Sequence, residues 1–278
     1  MRKINIATDS TSDLSNELLE KFDIAVWPLY INFGEETFRD KIDIDADLLY
    51  KKVKEHGELP KTAAISPAEF YQYFSAYSKD EDIIYMGIGE GFSATFNNAR
   101  LAAEEFDNVY IIDSNNLSTG IGLQLLKIAK FREAGLTAAE IVEKMKQVTP
   151  NVSTRFAINT LEYLHKGGRC SSTTRIIGST LKIKPIIKVI DGKMEATKRP
   201  IGFKRALNVM LNEAFNDKDN IDPDYIMVTH TANPEDAKFL KTKLEEFGFE
   251  NIFINTAGGV ISTHCGPKTI GILYILKK

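Results

Sequence analysis

The chain reads as an α/β protein of two domains, with a mainly parallel sheet in the first and a mixed sheet in the second. Three observations predict this. Short β-rich runs alternate with helical patterns almost from end to end, the signature of a sheet covered by helices on both faces. The 278 residues, 43% hydrophobic, exceed one ordinary domain and can bury a sizeable core. The pattern restarts near residue 150 and then runs through Asp191-Gly192, a hairpin signal that introduces antiparallel pairing. The boundary is therefore placed there, giving domains 1–150 and 151–278.

The elements follow in order. "KINIATDS" is a strand leading to a polar turn, and "LSNELLEKF" has helical spacing. "IAVWPLYINF" reads as a second strand region, followed by a charged loop and the helix "DADLLYKKVKEH". "ISPAEFYQYFSAY" has a complete helix start, with Ser66 as N-cap, Pro67 at the first position and Glu69 closing a capping box. Strand "DIIYMGI", helix "SATFNNARLAAEEF", strand "NVYIIDS" and helix "GIGLQLLKIAKFREAG" come next, and Thr137 with Glu140 repeats the capping box. In the second half a strand leads to "TLEYLHK", which a glycine pair stops. Then come a short helix over "TTRIIGSTL", the strand "IKPIIKVI", the hairpin, the helix "GFKRALNVMLNEAF" and the strand "DYIMVTH". "NPEDAKFLKTKLEEFG" is a helix with Asn233 as its cap, and the end, from Asn251 to Leu276, reads as strand, loop, strand.

Composition excludes several classes. A net charge of −3 is not that of a globally basic nucleic-acid binder. The two cysteines, Cys170 and Cys265, have no metal-site spacing, so a reducing compartment without a disulfide is expected. "MRKINIATDS" enters a strand directly, which gives no signal-peptide pattern, and no apolar run approaches the roughly 20 residues that span a bilayer. A soluble, cytoplasmic protein is expected. Charge is uneven, however: from Lys166 to Arg205 eleven Lys and Arg face only Asp191 and Glu195. That stretch is either a solvated face or a basic surface for an anionic partner or membrane headgroups.

The motifs narrow the chemistry further. In "ATDSTSDLS" a phosphatase loop wants a second Asp where Thr11 stands, and a metal-dependent adhesion loop wants serine where Asp13 stands. A turn that caps the helix at Leu14 fits better. "GIGEGF" has Phe92 at the third glycine position of a dinucleotide fingerprint, and no Walker lysine follows. "GFSAT" is half a nucleophile elbow with Thr95 replacing the last glycine; Ser93, Asp113 and His264 supply a hydrolase's residue types, the alternative enzymatic reading. Ser93 is otherwise an N-cap worth about 1 kcal/mol, or a hydroxyl beside unpaired helix N–H groups that attract an anion. Thr62 before a capped helix, Arg169 after two glycines and His264 after Gly-Gly are further loop donors. If the chain is extended there, His264 and Cys265 point to opposite sides, which argues against a Cys–His pair. Both cysteines read as buried and non-nucleophilic.

Taken together, "TDSTSDL", "FRDKIDID", "KTAAISP", "FSATFNNA", "LEYLHKGGR" with "LKIKPII", and "GVISTHCGPKTIG" resemble, end to end, the DegV family of bacterial fatty-acid-binding proteins. That family includes the acyl-carrier subunits of the fatty acid kinase system. The resemblance implies two α/β domains with a ligand tunnel whose head-group site lies near the domain junction. It also implies a non-enzymatic carrier without cofactor or metal, binding one long-chain fatty acid. Its carboxylate would be held by Thr62, Ser93 and His264, with Arg169 and Thr95 as further ligands. A kinase subunit and a transient membrane surface are the implied partners. Ala63, Ala94 and Lys268 depart from the family pattern, which has serine, glycine and glycine there.

Overall fold

The computed structural model describes residues 2–170 and 182–277. The first half builds β1 (Ile4–Asp9), α1 (Asn16–Lys21), β2 (Ile24–Trp27), β3 (Tyr30–Phe33), β4 (Glu36–Arg39), α2 (Ala46–His56) and β5 (Lys61–Ala63). It continues with α3 (Pro67–Ser75), β6 (Asp82–Tyr85), α4 (Thr95–Ala103), β7 (Val109–Ile111), α5 (Thr119–Glu133) and α6 (Ala138–Val148). The second half supplies β8 (Val152–Ala157), α7 (Glu162–Gly167), β9 (Ile186–Ile190), β10 (Lys193–Lys198) and α8 (Phe203–Asn216). After these come β11 (Ile221–His230), α9 (Pro234–Glu246), β12 (Ile252–Thr256), α10 (Gly259–Cys265) and β13 (Ile270–Leu276). The short helix expected over 173–181 lies outside the described residues.

Among the described residues the strands form three sheets. A four-stranded sheet, order β2-β1-β6-β7, is parallel throughout. A six-stranded mixed sheet runs β10-β9-β8-β13-β11-β12, with only β11 and β12 parallel. The third, β4-β3-β5, is a small antiparallel sheet that the sequence reading merged into the first. Pro28 is the reason: lacking an N–H, it breaks "IAVWPLYINF", so β2 joins the parallel sheet and β3 another.

Helix α5 packs against β1 on one side and β8, β11 and β13 on the other. It is buried over most of its length, as a helix wedged between sheets must be, and one apolar cluster runs through it from Ile6 and Ile84 to Phe156 and Leu273. Local signals hold where local chemistry decides. Both capping boxes form, at Ser66/Glu69 and Thr137/Glu140, and Asp191 and Gly192 take φ +47° and +69°, the paired positive values of a tight hairpin.

Three local expectations are corrected. The C-terminal segment is not strand, loop, strand, because α10 intervenes between β12 and β13. Asn233 precedes α9 without a side-chain cap; its backbone N–H donates to His230 Nδ1 at 3.2 Å. The turn over "ATDSTSDLS" does not start a helix at Leu14: α1 starts at Asn16, capped by Ser15, and Asp13 takes φ +53° and turns its carboxylate toward α10.

Candidate functional site

Strand β5, the loop before α4, the segment after α7, β10 and α10 converge on one cavity of about 230 Å³. Its wall is mostly apolar, from Leu29, Ile88, Phe92, Leu117, Met194 and Ile261 among others. Its polar members are Thr62, Ser93, Arg169 and His264, four of the five residues singled out from the sequence. Thr62, Arg169 and His264 also line an outer groove of about 580 Å³ with Glu58, Lys61 and Lys166. On the inner side Leu117, Ile261 and Cys265 separate the cavity from a small apolar one of about 30 Å³ that reaches Phe156 and Leu273. The cavity thus shares three of its polar residues with the basic groove and three of its other lining residues with the small apolar cavity.

His264 reaches the cavity because α10 is helical. Val260, Ile261, His264 and Cys265 recur at helical spacing and all line the wall. The expected opposition of His264 and Cys265 fails for that reason, although that spacing was visible in "GGVISTHC". The ring's Nε2 lies 2.9 Å from Thr62 Oγ1 on β5, while Nδ1 is buried without a hydrogen-bond partner among the described residues. Burial, aided by the positive charge of Arg169, pushes the His264 pKa down to about 4, so the ring is neutral at pH 7. Its polar capacity is half used.

Ser93 sits one residue outside the N-cap of α4, which is Ala94. Its Oγ accepts the Thr95 N–H at 3.2 Å and lies 2.9 Å from Thr95 Oγ1. Thr95 itself is fully buried behind the serine and does not line the cavity. Ala94 takes φ −66°, an ordinary helical value, so its methyl costs no backbone strain. Lys268 takes φ +61°, a left-handed backbone at a position where the resemblance places glycine. Arg169 is exposed, follows Gly168 at φ +66° and donates to Gly167 O at 2.7 Å.

The hydrolase arrangement is not assembled. Asp113 accepts from the backbone N–H groups of Glu90 (3.2 Å) and Asn115 (2.9 Å), and the His264 ring bonds Thr62. Burial pushes the Cys265 thiol up to about 12, so it stays protonated. Among the described residues no group of three His, Cys, Asp or Glu gathers to hold a metal, and no helix is long and apolar enough to cross a membrane. Within the basic stretch, Lys188 and Lys198 pair with Glu213 and Lys166 with Glu162, so part of that charge is internally compensated.

A largely apolar cavity whose wall also carries two hydroxyls, an imidazole and a guanidinium has the make-up of a small-molecule site. The chain belongs to the DegV family, whose model, described as an uncharacterised protein family, matches residues 3–277. DegV domain-containing proteins of Clostridium acetobutylicum and Clostridium perfringens are 34% and 32% identical over 281 and 278 residues, covering 100% and 99% of both chains. Among solved structures, DegV of Bacillus subtilis, a fatty acid binding protein, superposes with a TM-score of 0.89 at 28% identity over 100% of both chains. A fatty-acid-binding DegV family protein of Thermus thermophilus gives 0.89 at 28%, covering 99% of this chain and 100% of its own. A stearic acid-binding protein of Eubacterium ventriosum gives 0.88 at 26%, covering 100% and 99%.

Proposed function

We propose that this protein binds one long-chain fatty acid, with the carboxylate at the polar end of the cavity and the tail directed inward. The observation that carries this reading is a largely apolar wall that also carries polar side chains, with an unpartnered His264 Nδ1 among their donors and acceptors. A buried carboxylate needs hydrogen bonds and charge compensation. The Thr62 and Ser93 hydroxyls and the His264 imidazole offer the first, and Arg169 the second. Thr95 serves behind Ser93, orienting its hydroxyl through their contact. At about 0.8 kcal/mol per buried methylene, a tail of about fourteen gives roughly 11 kcal/mol before association losses of several kcal/mol. The tail therefore sets tightness and the head group sets register.

The protein acts as a cytoplasmic carrier without a cofactor, presenting the bound acid to a fatty acid kinase partner that phosphorylates the carboxyl group. The basic stretch from Lys166 to Arg205 then faces that partner or an anionic membrane surface. Denaturing extraction followed by mass spectrometry tests the binding: one free fatty acid at near one-to-one stoichiometry is expected, while an empty extract from protein that also refuses added oleate would end the reading. For the partner role, Arg199→Glu with Lys204→Glu should slow exchange with anionic vesicles or kinase turnover; unchanged rates in both assays would remove this surface from the mechanism.

A further inference from the structure

Two sequence motifs, "TDSTSDL" and "FRDKIDID", contribute nothing to the cavity wall, yet each sends a carboxylate to the same place. Asp13 Oδ1 accepts the backbone N–H of Gly258 at 2.8 Å, and Asp40 Oδ1 accepts that of Gly259 at 2.7 Å. These are the first N–H groups of α10, which carries His264. Both carboxylates are almost fully buried. Asp13 is held in turn by the Ser118 hydroxyl at 2.6 Å and by Lys41 Nζ at 3.1 Å. Negative charge at a helix start is favourable, and charge-assisted bonds to backbone N–H groups are stronger than neutral ones.

The two glycines permit the approach. A Cβ on Gly258 would lie 2.8 Å from Lys41 Cε and 3.0 Å from Asp40 Oδ1, and one on Gly259 would lie 2.6 Å from Ile31 Cδ1. Gly258 has φ −67°, so its lack of a side chain answers to space and not to backbone angle. The two ends of the helix are held differently. Thr269 Oγ1 donates to Cys265 O at 2.8 Å and Thr231 Oγ1 to Gly266 O, so the last backbone carbonyls are tied within their own half of the chain, with Tyr50 Oη reaching Ser262 O at 3.4 Å from the other. The near end is tied to the other half.

We propose that Asp13 and Asp40 are positioning residues: they fix the start of α10, so that the imidazole five residues later meets Thr62 across the cavity. The lever is short. At 1.5 Å per residue the ring lies about 7.5 Å along the axis from the anchor, and a tilt of about 10° carries it roughly 1 Å, enough to spoil a 2.9 Å contact. The proposal deepens the fatty-acid reading and, for its ligand readout, rests on it.

The test combines oleate affinity with NMR titration of the His264 ring, assigned by the loss of its signal in His264→Gln. Asp40→Ala should weaken oleate binding about 10-fold, the equivalent of one lost hydrogen bond, and move the His264 titration from near 4 toward the ordinary 6.5. Asp40→Asn keeps an acceptor oxygen and should restore both. If Asp40→Ala does not fold, Gly258→Ala keeps both carboxylates and crowds the anchor, and should show the same two changes. An unmoved His264 titration with wild-type affinity overturns the positioning role. The titration is read without ligand, so it decides the matter even if oleate fails to bind the wild-type protein, a result that would overturn only the fatty-acid reading.

Discussion

The two walls that bring polar groups to the cavity are built in opposite ways. On one side Ser93 is set by its neighbours, its hydroxyl bonded to the Thr95 N–H and hydroxyl two residues on. On the other, His264 is set by residues far away in the chain: Thr62 bonds its ring, and Asp40 and Asp13 hold its helix across 219 and 245 positions of sequence. A locally built wall tolerates loss of its polar atom because the backbone turn persists. A wall built by distant contacts loses its geometry along with the contact.

The sharpest way to break this contrast uses pH. Asp40 is pushed up to about 6 by burial and by the charge of Asp13, against the opposing pull of Ser10, Lys41 and the Gly259 N–H. Between pH 3.8 and about 6 the folded protein therefore holds a proton that the unfolded chain has released, and this group's contribution to stability falls as pH rises through that window. His264 has the opposite sign. Between about 4 and 6.5 the unfolded chain holds the extra proton, so its contribution is lost as pH falls. Each amounts to roughly 2–3 kcal/mol, and in the wild type they offset. Asp40→Asn should remove one side of the balance: urea denaturation should show the variant losing about 2–3 kcal/mol relative to wild type between pH 6.5 and 4. Parallel stability curves would contradict the buried charge at Asp40.

A smaller effect is expected at the ring itself. His264→Ala removes a donor and leaves Thr62 without its partner, so oleate affinity measured by calorimetry should fall roughly 30-fold, about 2 kcal/mol. Ser93→Ala should cost less, about 1 kcal/mol or fivefold, with an unchanged melting temperature because the loop keeps its backbone bonds. Equal losses at the two positions would erase the distinction between the walls. The smallest change is Lys268→Gly just beyond α10. Relief of the left-handed backbone is worth about 1–2 kcal/mol and the added chain entropy takes back about 1 kcal/mol, so a net gain of at most about 1 kcal/mol is expected in thermal melts.

The same division explains what the sequence made legible. The capping boxes, the Asp191-Gly192 hairpin, the parallel first sheet and the Ser93 turn follow from residues within a few positions of one another. Thr62, Arg169 and His264 stood out one by one as loop donors, but only the family resemblance grouped them, because nothing in their spacing shows that they converge. Helix α10 was missed because seven residues that start with glycine and include Val, Ile, Ser and Thr have little helical preference of their own; the carboxylates bonded at its start lie in the first 40 residues. The role of Asp13 was hidden for the complementary reason, since nothing among its sequence neighbours shows that its carboxylate bonds the start of a helix 245 positions away.

Strand β13 lies between β8 and β11, at the centre of the six-stranded sheet, although it is made after all the other strands of that sheet. Until residues 270–276 have emerged from the ribosome, β8 and β11 have no common neighbour. Completion of the six-stranded sheet is therefore among the last events during synthesis, a high-contact-order step that follows the making of every strand of the parallel sheet. A chain that stops short of β13 would leave the facing edges of β8 and β11 unpaired, open to pairing with another chain.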